Sequence, residues 1–347
     1  NDNFTQMISD FSPYFSRRDM DLVLSRMVED AVSEDVFNRR FENAVKEQFN
    51  LEYVISMRSP YNALQKALQV FGLERGAKIA ISALAPAWQK DALEDSGFTP
   101  VILDIDQETF HPKPESISLA NPSAIILFDA LGKSPSEALL ERIDIPIIED
   151  ISQTLGMIKV SDEKHLYGHF LIWSLESDSA IATGGGALLC ASGKRDAQIL
   201  RLLDESMPRE LKMTDYNAAL GISQMKSYPK MIERRKTIYR RLIGQLLRTR
   251  HSYLQQEDSE SCPLYAFPIF PETSVKEIID YAMKHGVESK HAFASCISQR
   301  LYESEPEQEA VFPIARSVAL RCILFPMHHK LTNQQVEQIG KVIATLP

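Results

Sequence analysis

Residues 145–191 read IPIIEDISQTLGMIKVSDEKHLYGHFLIWSLESDSAIATGGGALLCA, and three runs within this stretch decide the fold. IPIIED, HFLIWSL and GGALLCA are continuously apolar and β-branched instead of alternating, which is the pattern of strands covered on both faces. Four similar runs precede them: YVIS from Tyr53, KIAIS from Lys78, TPVILDID from Thr99 and SAIILFDA from Ser123. Helix-length connections separate most of these runs, so the reading is α/β, with a mostly parallel sheet between helices. Ligands in such sheets sit at the carboxyl ends of the strands, which directs attention to Asp150 and to the residues following Trp173.

Beyond this region the pattern changes. Asp215 to Leu247 has apolar residues at three-to-four spacing and predicts long helix interrupted near Pro229. A strand-like PLYAFPIF follows, then a helix SVKEIIDYAMKHG closed by Gly286. A last helix opens near Thr332, where TNQQ has the form of a capping box. The domain expectation is a large unit over 1–235 and a smaller C-terminal α/β unit over 236–347, since single cores stop growing near about 250–300 residues.

Composition bounds the function. The 347 residues are 44% hydrophobic and 24% charged, as in an ordinary globular protein, with a formal net charge of −9. That balance argues against non-specific nucleic-acid binding, and the basic run RRKTIYRRL from Arg234 reads as a solvated helix face. Cys190, Cys262, Cys296 and Cys322 are far apart without a C-x-x-C pair, so neither a metal site nor a disulfide framework is indicated. The opening NDNFTQMISDFSPYFS has no basic stretch followed by an apolar core, and no run of about 18 apolar residues occurs anywhere. The expectation is a cytoplasmic protein without a membrane segment.

Several segments in order resemble the DegT/DnrJ/EryC1/StrS family of pyridoxal-phosphate (PLP) sugar aminotransferases. IPIIEDISQTLG is similar to that family's IPVIEDAAQALG. ELKMTDYNAALGISQMKSYPKMIERRKTIYRRL resembles its NYRMTDLQAALGLAQL helix and the arginine-rich helix after it, and CILFPMHHKLTNQQVEQIGKVI resembles its closing SLPLHPDLTEEQVDRVVEAI. The resemblance implies fold type I, the aspartate aminotransferase-like architecture, and a homodimer acting on nucleotide sugars in polysaccharide biosynthesis.

Carried over residue by residue, the resemblance divides. Asp150 matches the aspartate that pairs with the pyridinium nitrogen, Gln153 the glutamine beside the cofactor, and Ser174 a serine contacting its phosphate. The position of the imine-forming lysine holds Ser179, and no lysine occurs between Lys164 and Lys194. A hydroxyl forms no imine, so covalent PLP is not expected, while noncovalent PLP or pyridoxamine phosphate (PMP) stays open. The family's Gly-Thr pair at the phosphate is Pro60 and Tyr61 here. Its phosphate-binding asparagine, supplied by the partner subunit, is Glu210, and its stacking aromatic falls at Pro86 with Trp88 two residues on. His291 matches a histidine aimed at the sugar nucleotide. The resemblance therefore implies a degenerate member, a pseudoenzyme binding a nucleotide sugar, a metabolite or a partner protein. The alternative is an aminotransferase or dehydratase holding its cofactor noncovalently. Dehydratases of the family carry histidine at the lysine position, and neither His165 nor His169 aligns there. Taken without the resemblance, Asp150 reads as a strand-end carboxylate capping the next turn, and Glu176, Ser177 and Asp178 as a polar loop. His328-His329 reads as a surface or packing pair.

Overall fold

The computed structural model describes residues 7–11, 17, 20–21, 23–24, 36–154, 166–176, 179, 181–254, 264–304 and 311–347. All seven apolar runs form strands: β1 Tyr53–Met57, β2 Lys78–Ser82, β3 Thr99–Leu103, β4 Ala124–Phe128, β5 Ile147–Asp150, β6 Phe170–Ser174 and β7 Ala187–Ala191. They make one sheet in the order β1-β7-β6-β5-β4-β2-β3. β3, β2, β4, β5 and β6 are mutually parallel, and β7 runs antiparallel to both of its neighbours. Every residue of β4, β5 and β7 is buried, which accounts for strands without polar alternation.

Register sets the functional edge. Phe128 pairs with Asp150, Asp150 with Ile172, and Ser174 with Ala187, so the carboxyl ends of β4, β5 and β6 align along one rim. Helices cover both faces, among them α1 Val36–Phe49, α2 Pro60–Val70, α3 Ala87–Asp95 and, farther on, the long helix Asp215–Leu246. At Gly221 an added Cβ would lie 2.6 Å from the ring of Phe41, so glycine is what lets α1 and the long helix approach closely.

Asp215–Leu246 is a single 32-residue helix with Pro229 inside it, a departure from the interruption expected there. Proline removes one backbone donor, but Met225, Tyr228, Met231 and Ile232 around it are buried in one apolar cluster with Phe49 and Trp173. Packing holds the helix across the gap. Farther along, Ile238, Leu242 and Leu246 enter a second cluster with Phe267, Ile323 and Ile339. In the basic run on this helix Arg240 and Arg241 are exposed, as a solvated face requires, and one residue departs from it. Arg235 is buried, donating from Nη1 to the carbonyls of Leu264 at 2.6 Å and Tyr265 at 3.0 Å.

The second sheet is antiparallel, in the order β10-β11-β9-β8, from β8 Ser252–Tyr253, β9 Phe267–Phe270, β10 Lys290–His291 and β11 Ile323–Phe325. Helices Val275–Lys284 and Asn333–Ala344 pack on it. The latter opens with the capping box read from TNQQ: Thr332 Oγ1 accepts from Gln335 N, and Gln335 Oε1 accepts from Thr332 N. A short ladder fastens this sheet's loops to the main one. Ala87 N donates to Ser295 O, Ile297 N to Ala85 O and Ser298 N to Ala83 O, at 2.8–2.9 Å. Among the described residues no helix is long and apolar enough to cross a membrane.

Candidate functional site

Between that ladder and the aligned strand ends lies a cavity of about 550 Å³. Nine of the residues singled out through the resemblance line it: Pro60, Tyr61, Pro86, Trp88, Asp150, Gln153, Ser174, Ser179 and His291; Glu176 of the polar loop lines it as well. Glu210 does not. It is exposed on the turn Arg209–Leu211, and its predicted role concerns a partner's cleft. His165, Ser177, Asp178 and Cys262 lie outside the described residues.

Asp150 ends β5 and is almost wholly buried. Its Oδ1 accepts from the backbone N of Ser152 at 3.0 Å and from the Ser152 hydroxyl, so it does cap the next turn. Its Oδ2 accepts from Gln89 Nε2 at 2.6 Å. Burial pushes its pKa up to about 6, and the bonds from Ser152 and Gln89 oppose the rise. Ser152 Oγ also accepts from Ser174 N at 2.9 Å. Ser179, likewise buried, donates its hydroxyl to the carbonyl of Ser174 at 2.7 Å. The Ser179 side chain thus turns back onto the end of β6. Gln153 Oε1 accepts from Leu131 N at 2.7 Å, pinning a turn in which Leu131 has φ +52°.

The amino end of α2 forms another part of the wall. Ser59 is its N-cap, taking the N–H of Asn62 at 3.1 Å on its hydroxyl and that of Ala63 at 3.1 Å on its carbonyl. Pro60 at the first helical position has no N–H. The Tyr61 hydroxyl is tied to Asp95, and that bond, with burial, raises its pKa to about 12. Behind the rim, Asp129 and Glu149 are fully buried neighbours. Burial pushes both carboxyls up; the neighbouring Glu149 charge raises Asp129 further, whereas Glu149 accepts from Tyr167 N at 2.6 Å and Gly168 N at 2.7 Å, which opposes its rise. Those two donors favour charge on Glu149, so Asp129 is the one held further above the ordinary carboxylate range.

The facing wall comes from the second sheet and its loops: Lys290, His291, Phe293, Ser295, Cys296 and Leu324. Lys290 is half-exposed and lies 2.7 Å from Asp10. The His328-His329 pair lies outside this cavity. His328 is buried, and desolvation together with Arg235 lowers both imidazoles to about 4, which fits packing.

Sequence reasoning missed Ser59 and Ser152, which line the cavity, and Gln89, the buried donor behind Asp150. Ser152 carried a signal, a hydroxyl two residues after a strand-end aspartate. Gln89 carried none, being 61 residues from its partner.

Comparison with known proteins agrees with the geometry. The model of the DegT/DnrJ/EryC1/StrS aminotransferase family matches residues 16–344. GDP-perosamine synthase of Escherichia coli O157:H7 is 22% identical, over 88% of each chain. The dTDP-4-dehydro-2,3,6-trideoxy-D-glucose 4-aminotransferase of Saccharopolyspora spinosa is 21% identical, over 96% of this chain and 95% of its own. Among solved structures, the PLP form of Spr1654 from Streptococcus pneumoniae superposes with a TM-score of 0.86 at 19% identity, covering 98% of both chains. Helicobacter pylori PseC, an aminotransferase of pseudoaminic acid biosynthesis, superposes with 0.82 at 17% identity, over 97% of this chain and 98% of its own. The seven-stranded sheet with its antiparallel β7 is the fold of these PLP-dependent enzymes. The chain belongs to the DegT/DnrJ/EryC1/StrS aminotransferase family.

Proposed function

We propose that this chain is a member of the family that does not transaminate. It binds a nucleotide sugar, a related metabolite or a partner protein in polysaccharide or nucleotide-sugar biosynthesis. The observation that carries this reading is Ser179. At the position aligned with the imine lysine, a buried hydroxyl is already bonded to Ser174 O. Among the described residues, the lysine that lines the cavity, Lys290, belongs to the opposite wall and is paired with Asp10.

A covalently held PLP does not fit these residues. Phosphate is held where free N–H groups meet the positive end of a helix. Here Pro60 has no N–H, and Ser59 takes those of Asn62 and Ala63. Glu176, two residues beyond Ser174, adds a carboxylate to the same cavity, and like charges in a shared, partly dehydrated site are costly. The sugar context comes from the relatives, which include a GDP-perosamine synthase and a spore coat polysaccharide biosynthesis protein. A homodimer would set the exposed Glu210 near a second cleft.

A second reading, noncovalent PLP or PMP, draws on one specific observation: Asp150, Gln153, Ser174 and Trp88 line a single cavity. Titration with PLP and PMP, followed by absorbance and by melting temperature beside a lysine-containing relative, separates the two. The expectation is no imine band and no saturable stabilisation. Saturable stabilisation accompanied by amino-group transfer or sugar dehydration overturns the non-transaminating reading. Ser179→Lys is expected to stay free of imine as well, because the α2 end and Glu176 are unchanged.

A further inference from the structure

Charge in the cavity is divided between its walls. The wall from the main sheet carries the carboxyls of Asp150 and Glu176 and the hydroxyls of Ser152, Ser174 and Ser179. The wall from the second sheet carries the basic groups, Lys290 and His291. Asp150 already has its donors from Gln89 and Ser152. Glu176 differs, because no described residue forms an ion pair or side-chain hydrogen bond with its carboxylate. A carboxylate only accepts, so the group that completes Glu176 is a donor, and a charged donor binds it roughly twice as strongly as a neutral one.

Shape adds to this. Trp88 and Tyr61 line the cavity beside the serine hydroxyls, giving an apolar face against which a hexose ring can lie while its hydroxyls reach polar groups. An ammonium near an aromatic face gains further attraction. The volume of about 550 Å³ is that of a small-molecule site.

We infer that the wall built by Asp150, Ser174, Ser179 and Glu176 is a sugar subsite selective for an amino sugar, whose ammonium meets the Glu176 carboxylate. The ring lies against Trp88 in the volume that a lysine-bound cofactor would need. The diphosphate of the nucleotide turns to the opposite wall, to Lys290 and His291. Lys290 is ready for that exchange, because its half-exposed ammonium is screened by solvent in the bond to Asp10, and a diphosphate brings more charge than one carboxylate. This inference rests on the nucleotide-sugar reading above and adds to it the class of sugar and its orientation.

Calorimetric titration of the intact chain tests it, using UDP, dTDP and GDP, their glucose conjugates and their amino-sugar conjugates with a free amine. The expected result is a preference of about tenfold for the amine over the glucose conjugate of one nucleotide. Glu176→Gln is expected to bring that ratio to about one, and Lys290→Ala to weaken every diphosphate alike. Equal affinity for the two conjugates, or a ratio that survives Glu176→Gln, overturns the inference and leaves the nucleotide-sugar reading standing. Binding of none of these ligands removes that reading and the inference with it. The first ratio is measured on the unaltered chain, so the test does not depend on how any variant folds.

Discussion

The two walls of the cavity are built by opposite means. The main-sheet wall is a closed belt: Gln89 to Asp150, Ser152 to Asp150, Ser174 to Ser152, and Ser179 back to the Ser174 carbonyl. Its groups are largely buried and their partners are within the protein. The second-sheet wall is a two-residue strand, Lys290–His291, with an ion pair reaching solvent and loops fastened by three backbone bonds. The first wall is preorganised and costly to disturb. The second is adaptable and cheap to alter. The first wall stays rigid because its polar atoms bond to one another.

The largest expected effect tests that closure through pH. Asp150 has a folded pKa raised to about 6 from an ordinary 3.8. The native state therefore binds this proton more tightly than the unfolded chain. Its contribution to stability is present below about pH 4 and is lost as pH rises through about 6, amounting to about 3 kcal/mol. Urea midpoints of the parent are expected to fall over that window relative to those of Asp150→Asn, whatever the variant's own stability. Parallel pH profiles would mean that Asp150 is solvated and the wall open.

Next in size is Gln89→Leu, which leaves a buried carboxylate short of one donor. The expected loss is about 2 kcal/mol at pH 7.5 and less at pH 5, where Asp150 is protonated, as chemical denaturation at both pH values would reveal. An equal loss at both would assign Gln89 to packing alone.

On the second-sheet side, Thr332→Ala removes the cap of helix Asn333–Ala344 and is expected to cost about 1 kcal/mol, with no change in the pH profile. Smallest is Lys290→Ala, expected to shift the thermal midpoint by the equivalent of less than about 0.5 kcal/mol. A larger loss would make the Asp10 contact structural and the adaptable wall less adaptable than described.

Much of the fold was legible for a simple reason. Continuous apolar runs such as AIILF and IIED have one stable use at their length, as strands covered on both faces, and a local signal such as TNQQ caps a helix with its own side chains. Pro229 and Arg235 were misread because local rules, that proline breaks a helix and that arginine faces water, gave way to tertiary packing around Met225 and Tyr228 and to the carbonyls of Leu264 and Tyr265. At the site, strand-end positions made Asp150 and Ser174 readable, and Ser152 had its spacing. Gln89 was not readable, since a bond spanning 61 residues leaves no local trace.

By itself the sequence determined the positions of the strands along the chain, the absence of a lysine between Lys164 and Lys194 and the presence of Ser179 in that interval, because these depend on residue types and local periodicity. Only the tertiary structure decided where the remaining polar groups turn: Asp150 to Gln89 and Ser152, Ser179 to Ser174, Lys290 to Asp10 across the chain. A side chain's partner depends on which segments the sheets bring within about 3 Å, and a one-dimensional pattern carries no such distance.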